Sequence, residues 1–313
     1  MARRSEDGRV WCSTDRPGER LSIARPAPGY EILSVRRSHR HWREAHECFT
    51  VAVVHREQQD LLAEWRTRCR SVSTGRGGLM LIEPGDVHVT RRLHLRRGSA
   101  DFDVVSIAPE LVERAAERLG LGREFHYRAP SAEDPLVYEA FLRLVAAAGS
   151  SADSFTLECA ANEALSALVT RLGERPPARG VYLAPERDFR LRRVNEYLAS
   201  HLERRPTLTE LEQVSGLSQW RLCANFLKSQ GTSIGKCWNA LRLRRAVRQL
   251  QEGRSIGLIV TELGYRDEAY FWRAFKSHFG ITPGAWRAMF RANDRALSRR
   301  IPPATSREIR HDG

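Results

Sequence analysis

An internal repeat in the last third of this 313-residue chain constrains its fold most. Residues 208–231, "LTELEQVSGLSQWRLCANFLKSQG", and residues 256–280, "IGLIVTELGYRDEAYFWRAFKSHFG", share one outline. Each has an apolar helical pattern, a glycine (Gly216 or Gly264), a short turn and a longer helix that ends in Phe-x4-Gly. A short helix packed across a second one through a glycine-containing turn is a helix-turn-helix. The chain is therefore predicted to contain two of these units.

The second helix of each unit has a predicted start and two predicted faces. Ser218 and Asp267 are good N-cap residues for these helices. In the second copy, a helical spacing predicts a core face that consists of Phe271, Ala274, Phe275, His278 and Phe279. This spacing makes His278 a packing residue rather than a ligand. The opposite face is free to enter a groove and carries Glu268, Ala269, Trp272, Arg273 and Lys276.

The segment between the copies, residues 233–253, is predicted to be one long helix. Its apolar stripe consists of Ile234, Trp238, Leu241, Ala246, Val247 and Leu250. About 19 helical residues span roughly 28 Å, and successive major grooves on one face of DNA are roughly 34 Å apart. This helix therefore has a suitable length to hold two recognition helices. Its other face carries Arg242, Arg244, Arg245 and Arg248.

The overall charge supports a polyanionic partner. The chain has 51 Lys and Arg against 38 Asp and Glu, a formal net charge of +13, which favours nucleic acid or an acidic membrane surface; a merely solvated basic surface is the alternative. The six cysteines form no CxxC pair, which argues against a disulfide framework or structural zinc and fits a reducing cytoplasm. No segment approaches the roughly 18 apolar residues of a membrane span, so we expect a soluble cytoplasmic protein.

The rest of the chain predicts a strand-rich region followed by helices. Residues 1–28 are expected to be loose, and short β-branched runs from about 30 to 107 predict an antiparallel barrel or sandwich. Three helices follow, at 109–120, 135–149 and 154–173. The last has an apolar stripe that either packs on its own domain or forms a dimer contact, and consists of Leu165, Leu168, Val169 and Leu172. The predicted boundaries are a domain over 29–173, a linker over 174–186, a helical domain over 187–290 and a basic disordered tail over 291–313.

Residues 190–287 resemble the DNA-binding domain of the AraC/XylS family of bacterial transcription regulators. The resemblance is carried by "GYRDEAYFWRAFKSHFGITPGAWR" in the second copy and by Gly216-Leu217-Ser218, Phe226 and Gly231 in the first. It implies seven helices and insertion into two major grooves of double-stranded DNA. It further implies that base edges are met by Trp220, Cys223, Ala224, Glu268, Ala269, Trp272 and Arg273. Lys228 and Lys276 would lie near phosphates.

The first copy departs from the family pattern in ways that weaken it as a reader of bases. Ala224 stands where the family often has Arg, Leu227 where it usually has Lys, and Gln213 where it has a small residue. The first copy is therefore expected to read DNA weakly, or through shape and apolar contacts. Trp220 is alternatively a packing residue.

The N-terminal region resembles the cupin-like β-barrel with trailing helices that precedes this DNA-binding domain in the family, so the expected fold class is α+β. The segment "GGLMLIEPGDVHV" (77–89) looks like the second half of a cupin signature, with His88 at the metal-ligand position. Residues 39–47, "HRHWREAHE", do not have the HxH-x(3,4)-E spacing of the partner motif, so no metal and no other cofactor is expected. In relatives, the barrel holds a small-molecule effector and the helices form a homodimer.

The leading hypothesis is a sequence-specific transcription regulator that acts at promoters. Family habit favours an activator, which would contact RNA polymerase. The residues do not identify an effector, and the N-terminal domain alternatively serves only to dimerise. Two other classes stay open: a cupin-type metal-dependent enzyme with an appended DNA-binding domain, and a nonspecific architectural DNA-binding protein. The sequence contains no nucleophile constellation, Gly-rich phosphate loop or carboxylate pair, so no catalytic residue is assigned.

Overall fold

The structure of the protein is a computed structural model. It describes residues 2–4, 9–56, 62–67, 70–94, 99–122, 125–150, 152–174 and 186–298. The predicted linker lies almost entirely outside these residues, as does the tail beyond residue 298.

The first half of the chain is built from short antiparallel strands. They are β1 (Ala2–Arg4), β2 (Val10–Ser13), β3 (Arg20–Ala24), β4 (Tyr30–Ser38), β5 (Arg43–Ala45), β6 (Phe49–Val54), β7 (Leu62–Thr67), β8 (Arg70–Gly75), β9 (Leu79–Ile82), β10 (Val87–His94), β11 (Ala100–Ile107), β12 (His126–Tyr127), β13 (Ser131–Ala132) and β14 (Gly173–Glu174). An eight-stranded sheet has the order β1-β2-β3-β4-β11-β6-β9-β13, and a four-stranded sheet has the order β5-β10-β7-β8. Strands β12 and β14 form a separate pair.

The strands do not close into a barrel. Among the described residues, no ladder of hydrogen bonds joins the eight-stranded to the four-stranded sheet. The expected α+β class is confirmed in its coarse form, a sheet-rich N-terminal part and a helical C-terminal part, but the closed cupin-like barrel is not. In the described residues, β5 and β8 are the edge strands of one sheet and β1 and β13 are the edge strands of the other.

Three helices cover one face of the eight-stranded sheet, close to the predicted positions. They are α1 (Pro109–Arg118), α2 (Pro135–Gly149) and α3 (Ser154–Leu172). Asp153 and Asp134 accept hydrogen bonds from the first-turn N–H groups of α3 and α2, and this fixes where the helices begin. The proposed dimer stripe on α3 points inward into the core that this sheet and the three helices share: Leu165, Leu168, Val169 and Leu172. The dimer interpretation of these four residues is wrong, since they have no free surface to offer a partner.

The N-terminal segment is not loose where it is described. Leu21 and Ile23 on β3 are fully buried, and β2 and β3 belong to the eight-stranded sheet. Asn293 fixes β2 from the far end of the chain, because its side chain accepts from the Val10 N–H at 2.8 Å and donates to the Val10 carbonyl at 3.0 Å. The polar residues between these short strands concealed them in the sequence.

The described residues 186–298 form seven helices, the number that the resemblance implies. They are α4 (Glu186–Ser200), α5 (Leu208–Ser215), α6 (Gln219–Gln230), α7 (Ile234–Gln251), α8 (Ile256–Glu262), α9 (Glu268–Phe279) and α10 (Pro283–Ser298). Helix α10 runs eight residues into the segment predicted as a disordered tail, so that prediction is wrong up to residue 298. Met289, Phe290 and Asn293 anchor this helix through their buried side chains.

One hydrophobic core joins the two halves of the molecule. It contains the interior of the seven helices together with Leu21 and Ile23 of β3, Val35 of β4, and Val87 and Val89 of β10. Helix α10 packs on β2 and β3, α7 on β5, and α6 on β7 and β10. The helical C-terminal half is therefore seated against the sheets rather than joined to them by a linker alone.

Candidate nucleic-acid interface

The first helix-turn-helix is formed by α5 and α6. Helix α5 begins with a capping box, in which the Thr207 hydroxyl accepts from the Glu210 N–H while the Glu210 carboxylate accepts from the Thr207 N–H. It ends at Gly216, whose φ of 65° is the left-handed conformation that glycine adopts without strain. Leu222 and Phe226 hold α6 against α5 and the core with fully buried side chains. Ser218 occupies the predicted N-cap position of α6, but its side chain makes no capping hydrogen bond.

The residues assigned to base contacts on α6 lie on its solvent side. Trp220 is 79% exposed, so the packing alternative for this residue is wrong. Cys223, Ala224 and Lys228 are also exposed. Leu227 is exposed beside them, so the centre of this face is apolar, and the exposed cations of α6 are Arg221 and Lys228.

The second helix-turn-helix is formed by α8 and α9. Asp267 accepts a hydrogen bond from the Tyr270 N–H at 2.6 Å, which confirms the predicted N-cap and holds the pKa of this carboxyl below its usual value. Gly264 has a φ of 61°, and a Cβ at this position would overlap the Glu203 carbonyl group. The turn between α8 and α9 therefore requires glycine for two independent reasons.

Helix α9 has the two faces that its sequence predicts. Phe271, Phe275 and Phe279 are buried, and their rings lie edge-to-face or tilted against one another at 4.6–5.7 Å. The opposite face is exposed over Glu268, Ala269, Trp272, Arg273 and Lys276. The aromatic cluster thus divides, with the phenylalanines holding the helix and Trp272 left on the surface.

Helix α7 joins the two units, and its four arginines all contact other parts of the molecule. Its 18 residues span roughly 27 Å. Arg242 is buried, donates from Nε and Nη2 to the Leu263 carbonyl, and lies between the Trp238 and Tyr265 rings. This role was missed in the sequence because the alternation of Arg and Leu in "LRLRR" hides which arginine turns inward.

The other three arginines of α7 face carboxylates of the N-terminal half. Arg244 Nη2 lies 3.5 Å from Glu31 Oε1, and Arg245 and Arg248 lie 3.5 and 3.1 Å from the two oxygens of Glu47. Carboxylates of the same chain therefore balance much of their positive charge.

The C-terminal ends of both recognition helices touch the N-terminal half. At the end of α6, Arg66 donates to the Lys228 carbonyl and Arg91 donates to the Gly231 carbonyl. At the end of α9, the Asp15 N–H donates to the Gly280 carbonyl at 2.8 Å. These contacts leave the N-terminal portions of both helices open to solvent.

Two buried histidines, His46 and His88, lie near the half-buried His278 of α9. His46 Nε2 and His88 Nδ1 share a hydrogen bond of 2.7 Å, and His278 donates from Nε2 to Glu44 Oε1 at 3.0 Å. Burial, opposed by the nearby Glu44 charge, lowers the pKa of His88 to about 4, and burial with the His88 charge lowers the pKa of His46 well below its usual value. Although burial alone raises it, the pKa of Glu44 is held below its usual value by His278. The structure thus makes His88 a buried hydrogen-bonding residue and gives His278 a polar contact besides its packing.

No helix among the described residues combines the length and the apolar composition needed to cross a bilayer.

A family model described as a helix-turn-helix domain matches residues 211–289, which include most of both units. The probable transcription factor PqrA of Proteus vulgaris is 38% identical over 74 residues, which are 23% of this chain and 61% of that protein. The HTH-type transcriptional regulator GlxA of Rhizobium meliloti is 34% identical over 95 residues, 30% of this chain and 29% of that protein.

The matches to both relatives are partial, because the chain spans less than two thirds of the length of either. A solved structure extends the likeness to the N-terminal half. Apo ToxT of Vibrio cholerae covers 84% of this chain, and 98% of its own chain is matched, with a TM-score of 0.50 at 11% identity. At that identity the similarity concerns the fold alone.

Proposed function

We propose that this chain is a member of the AraC/XylS family, on the basis of its double helix-turn-helix and its match to a helix-turn-helix family model over residues 211–289, and that it is a sequence-specific transcription regulator. Its two recognition helices, α6 and α9, enter successive major grooves on one face of promoter DNA. The observation that carries the proposal is the pair of solvent-exposed faces on α6 and α9, separated by a rigid helix of roughly 27 Å. A single helix-turn-helix has no such fixed spacing.

The second unit contributes most of the base reading. Arg273 lies on the exposed face of α9 and has the planar, multi-donor geometry to bind guanine O6 and N7 in a bidentate manner. Trp272, Ala269 and Glu268 flank it on the same face. Lys276 stands one turn nearer the C-terminal end and contacts a phosphate, which positions the helix without reading sequence.

The first unit contributes apolar and shape-dependent contacts. Trp220, Cys223 and Ala224 meet base edges, and the large exposed ring of Trp220 contacts thymine methyl groups. Lys228 contacts the backbone. Because Ala224 and Leu227 stand where the family often has Arg and Lys, we expect the discrimination between bases by this face to be weaker than that of α9.

The N-terminal half is assigned three further roles, all in line with the family resemblance. It forms a homodimer, it senses a small molecule, and the DNA-bound protein activates transcription by contacting RNA polymerase. The dimer contact lies elsewhere than on the buried stripe of α3. The protein is proposed to act in the cytoplasm, without a catalytic activity.

The test is selection of genomic DNA fragments by the purified full-length protein at near-physiological salt, read by sequencing. The expected result is a recurrent site with two boxes about one helical turn, roughly 10 base pairs, apart. An Arg273→Ala variant, run in parallel, should enrich sites that have lost preference at one position of one box. Enrichment of all sequences alike by the wild-type protein would contradict the proposal in favour of nonspecific binding.

A further inference from the structure

Two arginines of the N-terminal half converge on the last turn of the first recognition helix. Arg66 projects from β7 and donates to the Lys228 carbonyl, and Arg91 projects from β10 and donates from Nη2 to the Gly231 carbonyl at 3.2 Å. Lys228 itself is exposed at the same place. Two cations from a sheet and one from a helix thus form a cluster, which we call the α6 basic cluster: Arg66, Arg91 and Lys228.

The backbone at this point is shaped around the arginines. Gly231 has a φ of 67°, and a Cβ placed there would lie 2.9 Å from Arg66 Cδ and 3.2 Å from Arg91 Nη2. Both side chains therefore approach the main chain more closely than any residue but glycine comfortably allows. The arrangement holds the two guanidinium groups at a defined position relative to α6.

The charge of the α6 basic cluster is not neutralised within the described part of the chain. None of its three cations has a carboxylate of a described residue within 4.0 Å. The arginines of α7 differ sharply, because Glu31 and Glu47 face them at 3.1–3.5 Å. Where the N-terminal half contacts α7, the arginines are paired with carboxylates. Where it contacts α6, the arginines have no carboxylate partner among the described residues.

The guanidinium groups also keep hydrogen-bonding capacity. An arginine has five N–H donors, and the hydrogen bonds between described residues use one from Arg66 and one from Arg91. The end of a helix carries a partial negative charge that disfavours phosphate. Two guanidinium groups seated on these carbonyls reverse that sign, so the C-terminal end of α6 becomes attractive to an anion.

We propose that Arg66 and Arg91 bind DNA phosphates beside Lys228, so that the N-terminal half adds its own backbone contacts to the first recognition helix. This inference rests on the proposed function, because it requires α6 to lie in the major groove. It adds two guanidinium groups to a helix whose exposed side is apolar at Trp220, Ala224 and Leu227 and whose own exposed cations are Arg221 and Lys228. Arginines that lie outside the helix-turn-helix would thus contact the phosphates and fix the position of α6 on the DNA.

Phosphate contacts by Arg66 and Arg91 should be visible in the dependence of DNA affinity on salt concentration. Each phosphate contact contributes a slope of about −0.9 to the dependence of log affinity on log salt concentration. Arg66→Gln and Arg91→Gln each remove one charge and retain an amide donor. Each variant should therefore reduce the magnitude of the slope by about 0.9, and the double variant by about 1.8. Affinity for cognate and random DNA should fall by the same factor, since phosphates carry no sequence information.

The experiment measures binding of full-length wild-type and variant proteins to the selected site at several salt concentrations. The matched control is Arg143→Gln on α2, which removes the same charge from a helix on the outer side of the eight-stranded sheet. Arg91→Lys keeps the charge and should keep the slope close to that of the wild type.

Two results would overturn the inference, and they differ from each other. If both Gln variants have the slope of Arg143→Gln, the arginines only hold the end of α6 in place, and the phosphate assignment fails while the proposed function stands. If the wild-type protein selects no site and its binding has no salt dependence, the proposed function fails and the inference falls with it. A reduced slope in the Gln variants alone supports the inference.

Discussion

Arg242 donates two hydrogen bonds to the carbonyl oxygen of Leu263, at 2.9 Å from Nε and 2.6 Å from Nη2. Arg242 belongs to the long helix between the two helix-turn-helix units, and Leu263 is the C-cap residue of α8. The guanidinium group also lies over the Trp238 and Tyr265 rings at 4.3 and 3.6 Å. A single buried cation therefore fixes the second unit at a set angle on the helix that carries it.

Replacing Arg242 by Met should lower the free energy of unfolding by about 2–4 kcal/mol. The variant fills a similar volume but leaves the Leu263 carbonyl without a charged donor and removes the cation–π contacts. Urea unfolding of the full chain measures the change. The control is Arg192→Met, an exposed residue whose ion pair with Glu196 spans 3.6 Å on the helix surface, for which a change below about 0.5 kcal/mol is expected. Equal losses in the two variants would contradict the anchoring role of Arg242.

Three glycines test what the turns require. Gly264→Ala should destabilise by at least about 3 kcal/mol, because the φ of 61° is strained for alanine and the methyl group would overlap the Glu203 carbonyl. Gly216→Ala has the same φ strain but open space around it, so a loss of about 1 kcal/mol is expected. Gly284→Ala, in a helix with open space and no positive φ, should be neutral or stabilising. Thermal or urea unfolding ranks the three, and a different order would contradict this account.

The two exposed cations of α9 should have separable effects on DNA binding. Arg273→Ala is expected to cost about 1–3 kcal/mol against the preferred base and to relax specificity at one position. Lys276→Ala should weaken binding to all sequences alike and reduce the magnitude of the salt slope by about 0.9. Competition between the cognate site and single-base variants measures both effects. Equal losses on cognate and random DNA for both substitutions would show that Arg273 does not read a base.

Local patterns in the sequence were sufficient to predict the helices and the exposed face of α9. The spacing of Phe271, Phe275 and Phe279 gives the buried side of α9 directly, and the glycines at 216 and 264 give the turns. The domain contact was not predictable in this way. Whether Arg66 meets a helix end, or Glu47 meets Arg248, depends on which strands lie beside which helices. The sequence alone does not distinguish arginines that pair with carboxylates of the same chain from arginines that are free to contact DNA.

The stripe on α3 illustrates the same limit. A row such as Leu165, Leu168, Val169 and Leu172 shows that one side of the helix is apolar, but not what covers that side. Here the eight-stranded sheet and helices α1 and α2 cover it. The short strands β2 and β3 were missed for the opposite reason, because their burial depends on α10 packing from the other end of the chain.

The buried pair of His46 and His88 should make the free energy of unfolding depend on pH at values above those at which carboxylates titrate. Burial, opposed by Glu44, lowers the pKa of His88 to about 4 in the folded protein, against about 6.5 in an unfolded chain. The unfolded state therefore binds more protons between these values, so stability is full above pH 6.5 and is lost as the pH falls toward 4. His46 acts in the same direction. Asp103, with a pKa lowered to about 2 by Arg36 and His55 despite its burial, contributes only below this window.

The expected loss from His88 is about 3 kcal/mol between pH 7 and pH 4, from a pKa difference of roughly 2.5 units. The charged and titratable groups around the pair of His46 and His88 are Glu44, His278 and Arg244. Urea midpoints for the wild type and His88→Gln, measured from pH 7.5 to 4.5, test the assignment. The variant starts less stable but should lose less on acidification. His41→Gln, at an exposed position, should follow the wild-type curve; a His88→Gln curve parallel to the wild type would show that the acid sensitivity arises elsewhere.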